Sequence, residues 1–320
     1  MSNEARQCEI VYVDGEWAWV DVNDRMKTGG YCEGRGQCVE NAMKNGYEVL
    51  RPEPDTIYNE PCLDTLAKMD DNSIDLVVTS PPYDDLRNYN GYSFDFDPMP
   101  RELRRVLKPG RAVVWVVGDA CVDGSETGTS FRQALAFMEA GFKLHDTMIY
   151  EKNSSSFPAR RTSKRYTQIF EYMFVFTKGK IRDDITLIAD KPNKWAGHTN
   201  WGKLTQYGKD GHESGRKEKI NPVPEFSLRT NIWRYTTSVD KGTGNHPAIF
   251  PEKLAEDHIL SWTVPGDIVY DPFMGSGTTA KMAVLNNRHY IGSEISSEYC
   301  EIIRNRLESV QPTIIAPDQV

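Results

Sequence analysis

The sequence predicts an α/β protein built on a mostly parallel sheet, and three patterns along its 320 residues carry that expectation. From Asp55 onward, short apolar runs that read as buried strands alternate with stretches of helical period. The stretch GDIVYDPFMGSGTTAKMAVLNN, from Gly266, spells strand, glycine turn and helix. HYIGSEISSEYCEIIRNRL, from His289, then spells strand, acidic residue and helix, so the two together form half of a mononucleotide-binding unit.

In chain order, residues 1–54 read as a small α+β appendage. IVYVDGEWAWVDV gives two alternating strands around Asp14-Gly15, a hairpin signal, and CVENAMKNGYEVL gives a helix and a strand before the break at Arg51-Pro52-Glu53-Pro54. Residues 55–179 form the first half of the main domain. LDTLAKM is helical, and the strand SIDLVVT stops at Ser80-Pro81-Pro82-Tyr83, because two prolines cannot continue a central strand. MPRELRRVLKPG reads as an amphipathic helix closed by Pro109-Gly110, RAVVWVVGD as a buried strand, and FRQALAFMEAGF as a helix ending at Gly141. HDTMIYEK and EYMFVFTKG complete the strand series, with room for an antiparallel edge. Residues 180–233 lose periodicity in a Gly-, Lys- and aromatic-rich insert. Residues 234–310 resume with the helix FPEKLAEDHILSWT and the two units above, and 311–320 read as a loose tail.

Bulk properties exclude more than they identify. The chain is 39% hydrophobic and 26% charged, has no apolar run near the ~18–20 residues of a membrane span, and opens without a signal segment, so a cytoplasmic protein with no membrane partner is expected. The net charge of −8 argues against indiscriminate nucleic-acid binding. From Lys143 to Tyr235, however, 18 Lys+Arg face 10 Asp+Glu, a basic window that is either a solvated surface or a face for phosphates. The six cysteines (Cys8, Cys32, Cys38, Cys62, Cys121, Cys300) form no C-x-x-C and are expected to be reduced structural thiols; no set of cysteines or histidines calls for a metal.

Two corners carry chemistry. Asp271-Pro-Phe-Met-Gly-Ser-Gly-Thr-Thr lies between a strand and a helix, where Gly275 and Gly277 permit a tight turn and close approach of a ligand to the helix N-terminus. Glu294 ends the next strand, 17 residues after Gly277, where a carboxylate can accept hydrogen bonds from both ribose hydroxyls of an adenosine. At the other corner, the Ser80 hydroxyl and Pro81 carbonyl are acceptors aimed by a proline-fixed backbone, and Tyr83 offers a stacking face. Acceptors of this kind suit a conjugated exocyclic amine: they draw on its hydrogens and force the nitrogen towards tetrahedral geometry, making it nucleophilic. Taken singly, a proline turn or a glycine turn carries no function.

Thr79-Ser-Pro-Pro-Tyr resembles the catalytic motif of the amino-group DNA methyltransferases, and Asp271 to Thr279 resembles their S-adenosylmethionine motif. His246-Pro-Ala-Ile-Phe-Pro-Glu-Lys-Leu is similar to the segment that closes over the methionine part of the cofactor, and the motif order resembles the beta class of that family. The resemblance spans about Tyr58 to Leu307. It implies a Rossmann-like methyltransferase fold with a seven-stranded, mostly parallel sheet and a target-recognition region in the insert. It further implies S-adenosyl-L-methionine as cofactor and double-stranded DNA as partner, with the target base flipped out of the duplex.

Carried over residue by residue, it makes Ser80, Pro81, Pro82 and Tyr83 catalytic. It assigns Asp271, Phe273, Gly275, Ser276, Gly277, Thr278, Glu294, His246, Pro247 and Phe250 to the cofactor. Candidate DNA contacts are the basic cluster Arg160, Arg161, Lys164 and Arg165, with Trp195, Trp201, Lys203, Lys209 and Arg216 of the insert. One departure is Asn59-Glu60-Pro61-Cys62, which stands where relatives carry Gly-Asp; either Glu60 replaces the usual acid at the adenine edge or the backbone suffices.

Within the family, serine at the position of Ser80 is associated with cytosine methylated at its 4-amino group, and aspartate with adenine methylated at its 6-amino group; cytosine is therefore favoured. An RNA or protein methyltransferase and a non-catalytic DNA-binding regulator stay open as more distant readings, as do a homodimer and a cognate restriction enzyme as partners.

Overall fold

Ile74–Thr79 sits at the heart of the sheet because its residues, IDLVVT, leave no face for water: all six are buried, as in a central parallel strand. The computed structural model describes residues 6–13, 16–24, 29, 32–82, 95–153, 164–199, 206–207, 213–214, 221–236 and 251–310. The chain forms two compact units, Met1–Ile185 with Ile232–Val320, and Thr186–Asn231.

The larger unit opens with β1 (Arg6–Val13), β2 (Glu16–Asp21), α1 (Arg35–Lys44) and β3 (Tyr47–Val49). These strands make a three-stranded sheet in the order β2-β1-β3 with its own core around Ile10, Trp19 and Tyr47. β1 and β2 pair antiparallel with Val13 opposite Glu16; Asp14 and Gly15 lie outside the described residues. The main domain continues with β4 (Thr56–Tyr58), α2 (Cys62–Lys68), β5 (Ile74–Thr79), α3 (Met99–Val106) and β6 (Leu107–Val117). A small ladder of β7 (Cys121–Val122) and β8 (Ser125–Glu126) precedes α4 (Thr129–Glu139), β9 (Lys143–Lys152) and β10 (Phe170–Thr177). In the smaller unit β11 (Lys191–Pro192) pairs with β14 (Phe226–Ser227), and β12 (Gln206–Tyr207) with β13 (Glu213–Ser214). The larger unit then resumes with β15 (Ile232–Tyr235), α5 (Glu252–Trp262), β16 (Ile268–Asp271), α6 (Thr278–Leu285), β17 (His289–Ser293) and α7 (Ser297–Glu308).

The main sheet runs β15-β9-β10-β6-β5-β16-β17-β4. β6, β5, β16, β17 and β4 are mutually parallel, and β10 is antiparallel to both its neighbours. From β5 the chain crosses through α3 to β6 on one side, whereas from β16 it crosses through α6 to β17 on the other. Strand order therefore reverses between β5 and β16, and a ligand crevice opens at the carboxyl ends of such a pair.

Three expectations are corrected. Among the described residues the sheet holds eight strands instead of seven; β4 and β15, three and four residues long at the two edges, are too short to give a periodic signal. The helix expected through Pro109-Gly110 ends at Val106, and β6 begins at Leu107. Leu107 pairs with Ile74 and Ala112 with Leu76, so the intervening residues bulge, and Gly110 takes the φ of +76° that the bulge needs. Cys32 and Cys38, expected as thiols, form a disulfide with Cα atoms 5.6 Å apart, because a bridge from Trp17 to Cys32 lays that residue against the first turn of α1.

Buried charge ties these pieces together. Arg35 donates to the carbonyls of Ala67 (2.6 Å) and Lys68 (2.8 Å), closing the end of α2 from α1. Arg111, 2% exposed, donates to Asp267 (3.0 Å) and forms an ion pair with Asp75 (3.2 Å), while Asp75 also accepts from Lys108 and the Ile268 amide. Among the described residues no helix is long and apolar enough to cross a membrane. Replacing Arg111 with alanine strands the buried Asp75 and the half-buried Asp267 without their shared cation, and a loss of about 3–5 kcal/mol in urea unfolding is expected. A loss below ~1 kcal/mol would mean that Lys108 alone suffices for Asp75.

Candidate active site at the ends of the central strands

Parallel pairing of β5 with β16 (Leu76 with Val269, Val77 with Tyr270) sets the ends of the two strands side by side. There the buried Thr79 hydroxyl donates to Asp271 Oδ1 at 2.7 Å, a bond between residues 192 positions apart in the chain. The next residues are Ser80, half-buried, Pro81, buried, and Pro82, half-buried. The proline corner thus leaves the sheet directly beside the start of the glycine turn. Tyr83 lies outside the described residues.

Asp271 is fully enclosed. Burial pushes its carboxyl up to about 6, against the pull of hydrogen bonds from Thr79, Thr279 and the Phe273 amide. The Phe273 amide reaches the same Oδ1 at 3.0 Å, so one oxygen holds both the strand end and the turn. Thr279 also donates to the Val78 carbonyl (3.2 Å), a second tie between α6 and β5.

The turn itself needs its glycines. Gly275 and Gly277 have φ of +53° and +80°, and a Cβ on Gly277 would come within 2.7 Å of Ile303 Cγ2, so α7 packs directly on bare backbone. Arg306 of α7 donates to the Ser276 carbonyl (2.9 Å) and to the Thr278 hydroxyl (3.3 Å). It also pairs with Glu252 of α5, which binds Lys281 of α6 as well. Ser276 and Thr278 are buried against these partners, and Phe273 is half-buried with its ring edge-on to Trp115, centroids 6.2 Å apart.

Glu294 follows β17 and faces the same turn. Its Oε2 accepts from the Gly275 amide (2.8 Å) and its Oε1 from the Ser296 amide (2.9 Å). Burial raises its pKa, and these amides counter the rise. Each carboxylate oxygen keeps a second lone pair, so the group can bind a diol without releasing the turn. The Glu294 segment is clamped in turn: the Glu294 amide donates to the Tyr58 carbonyl (3.0 Å), and Asn59 Nδ2 donates to the carbonyls of Glu294 (2.9 Å) and Ile295 (3.0 Å). Glu60 has both oxygens engaged, by Thr65 (2.8 Å) and Lys68 (2.7 Å).

The structure therefore brings Ser80, Pro81 and Pro82 together with Asp271, Phe273, Gly275, Ser276, Gly277, Thr278 and Glu294. Lys164 and Arg165 are exposed; Arg165 donates to the Gly124 carbonyl of the β7–β8 turn and lies 3.8 Å from Glu126. Trp195, in the smaller unit, is half exposed, with Lys194 Nζ 5.6 Å from its ring centroid. Arg160, Arg161, Trp201, Lys203, Lys209, Arg216, His246, Pro247 and Phe250 lie outside the described residues. Sequence reading missed Thr79, Thr279, Asn59, Glu252 and Arg306. Glu252 stands within the quoted Phe-Pro-Glu-Lys-Leu run, and Thr79 within Thr-Ser-Pro-Pro-Tyr, but Arg306 carries no local signal.

A family model for DNA methylases of the N6/N4 type matches residues 74–305. The orphan methyltransferase M.BamHII of Bacillus amyloliquefaciens is 61% identical over 244 residues, covering 75% of this chain and 90% of that protein. The Type II methyltransferase M.BglII of Bacillus subtilis is 32% identical over 257 residues, 77% of this chain and 67% of its own. Among solved structures, the PvuII DNA methyltransferase (cytosine-N4-specific) superposes with a TM-score of 0.59 at 22% identity, over 83% of this chain and 89% of that one, a likeness of fold.

The state of Asp271 has a pH signature. Its folded pKa lies above the usual carboxylate value, so the group costs nothing below about pH 3, where it is protonated in both states. As pH rises to about 6 the unfolded chain ionises first and stability falls; above that the loss is constant, about 2–3 kcal/mol. In Asp271→Asn the amide oxygen can accept the Thr79 and Phe273 hydrogen bonds without a charge. Unfolding measured at pH 4 and pH 7.5 should therefore show the variant gaining on the parent by that amount at the higher pH. An equal difference at both pH values would assign Asp271 an ordinary pKa.

Proposed function

The chain belongs to the N6/N4 DNA methylase family, S-adenosylmethionine-dependent enzymes acting on amino groups of DNA bases, and from that premise we propose that it methylates the 4-amino group of cytosine. The observation that carries this reading is the Thr79–Asp271 hydrogen bond, which pins the Ser80-Pro81-Pro82 corner beside the cofactor turn. A serine, not an aspartate, opens that corner.

The donor set suits the cofactor: a glycine turn at a helix N-terminus, a half-buried phenyl ring, and a carboxylate with spare lone pairs on the adjoining strand. When bound, S-adenosylmethionine supplies an electrophilic methyl on a sulfonium. In our reading Glu294 takes the ribose hydroxyls, while Phe273 and the segment with His246, Pro247 and Phe250 enclose the methionine part. The Ser80 hydroxyl and the Pro81 carbonyl accept the amine hydrogens and localise the lone pair on nitrogen, Tyr83 stacks on the flipped base, and the proton departs to water. Arg160, Arg161, Lys164 and Arg165 meet phosphates, and the insert with Trp195, Trp201, Lys203, Lys209 and Arg216 reads the target. We place the enzyme in a bacterial or phage-infected cytoplasm, with double-stranded DNA as its partner.

Duplex DNA incubated with enzyme and methyl-labelled cofactor, digested to nucleosides and resolved by mass spectrometry, should yield 4-methyldeoxycytidine. A 6-methyldeoxyadenosine product would overturn the base assignment and leave the family reaction standing, and label in RNA or protein controls alone would overturn DNA as substrate. Ser80→Ala removes one of two acceptors and should lower kcat by about 10²-fold with little change in cofactor affinity. Glu294→Gln should weaken cofactor binding in calorimetry by about tenfold or more, since it loses a charge-assisted pair of hydrogen bonds to the ribose.

A further inference from the structure

Away from the site, at the opposite ends of the central strands, four cations meet in one cavity. Steps of three and four residues from Arg101 put Arg104 and Arg105 on its side of α3. With Lys178, just past β10, they line a pocket of about 430 Å³, flanked by Asp71 and Asn72 ahead of β5 and by Glu139 at the end of α4. The six residues of β5 separate it from Ser80, about 20 Å at ~3.3 Å per residue.

These cations are unequally served. Arg105 is neutralised by Glu102 (2.8 Å) and Asp71 (2.9 Å), and it donates to the carbonyls of Leu66 and Met69. Lys178 donates to three neutral acceptors, Asn72 Oδ1 (2.8 Å) and the carbonyls of Leu107 (2.7 Å) and Arg105 (3.3 Å). Burial and the charges of Arg104 and Arg105 hold its pKa below the usual lysine value, against the pull of Asp71. Arg104 lies against Gly141, where a Cβ would sit 3.0 Å from Nε, and that Nε is buried without an acceptor. Among the described residues neither the half-buried Arg104 side chain nor the exposed Arg101 side chain has a hydrogen bond or an ion pair. Four cations against two acids give the lining an excess of two positive charges. A buried guanidinium nitrogen without an acceptor is a demand that folded proteins rarely leave unmet.

We propose that this pocket binds a phosphate dianion, either the free ion or the phosphate of a small monoester. Arg104 and Arg101 donate to its oxygens in charge-assisted hydrogen bonds, for which the planar guanidinium is suited, and Lys178 adds its charge. The two excess charges match the dianion. Asp71 and Glu139 are exposed beside the pocket, and they select a compact ligand: each would repel the further phosphates that flank any one phosphate of a duplex. A ligand held there ties α3 to the ends of α4 and β10, so it acts on the stability of the fold and takes no part in methyl transfer.

Inorganic phosphate, titrated at constant ionic strength into the full chain saturated with S-adenosylmethionine, should raise the melting temperature with a Kd of about 1 mM or tighter. Glycerol 3-phosphate distinguishes the two sources: tighter binding than phosphate assigns the pocket to a monoester, and equal or weaker binding assigns it to the free ion. Arg104→Gln should weaken binding by about tenfold and Arg101→Gln by about threefold, whereas Glu139→Gln should tighten it by about threefold. Arg132→Gln, on α4 but outside the lining, should change nothing. Because the Arg101 side chain is exposed and holds nothing in place, its variant keeps the test intact even where Arg104→Gln unfolds the chain. A melting shift that chloride reproduces at the same ionic strength, or one that survives both arginine substitutions, overturns the proposal. So does a loss of duplex-DNA affinity in these variants without any response to phosphate, which would assign the cluster to the DNA backbone. These readouts involve no methyl transfer and are independent of which base is methylated.

Discussion

A carboxylate enclosed at the end of a central strand must be hydrogen-bonded, and the way Asp271 meets that demand sets the geometry of everything around it. Its donors come from two corners of the fold: the Thr79 hydroxyl at the end of β5, and the Phe273 amide inside the turn after β16. Parallel pairing alone brings the two strand ends near each other; the shared oxygen fixes their offset. A one-residue slip of β5 would send the Thr79 side chain to the opposite face and leave the carboxylate short of a donor. The register of β5 and the position of the proline corner are thus one constraint, since Ser80 follows Thr79 directly.

The glycine turn is held from outside as well as from within. Glu294 beyond β17 binds the Gly275 amide, Arg306 of α7 binds the Ser276 carbonyl, and Glu252 of α5 joins Arg306 to Lys281 of α6. Ile303 closes against Gly277, where no side chain would fit. Four elements therefore determine where the amides at the start of α6 point. A backbone fixed in advance loses little entropy when it binds a ligand, which is the advantage of building such a turn on helices and strands instead of on a free loop.

Much of the fold was legible because its central strands are apolar on both faces and its corners are spelled locally. SIDLVVT could only be a buried strand, and a proline pair could only end it; DIVY with its glycine turn is equally local. What escaped reading depends on partners distant in sequence. Arg306 and Ser276 meet across the fold, and nothing near either residue announces the contact. The edge strands β4 and β15 are made strands by their neighbours, β17 and β9, more than by their own composition. Leu107 to Arg111 read as a helix end with Pro109-Gly110 as its stop, yet the same glycine serves a bulge, and Lys108 reaches Asp75 from there. In the site, side chains that touch backbone, such as Asn59, were harder to foresee than the carboxylates and glycines whose chemistry is tied to a motif.

Asn59 and Glu60 show how the structure narrows a choice the sequence left open. The resemblance places Gly-Asp at this segment, and Glu60 was one candidate to replace the missing acid. Its two oxygens are instead engaged by Thr65 and by Lys68, and Lys68 also pairs with Glu9 of the appendage. Redirecting that carboxylate would leave the largely buried Lys68 ammonium with a single partner, at a cost of the order of 1–3 kcal/mol. Asn59 is likewise committed, to the carbonyls of Glu294 and Ile295. Both side chains are thus occupied in holding α2 and the Glu294 segment. Packing has taken up this stretch: Asn59 braces the Glu294 segment from behind, and Glu60 holds Lys68, which also pairs with Glu9.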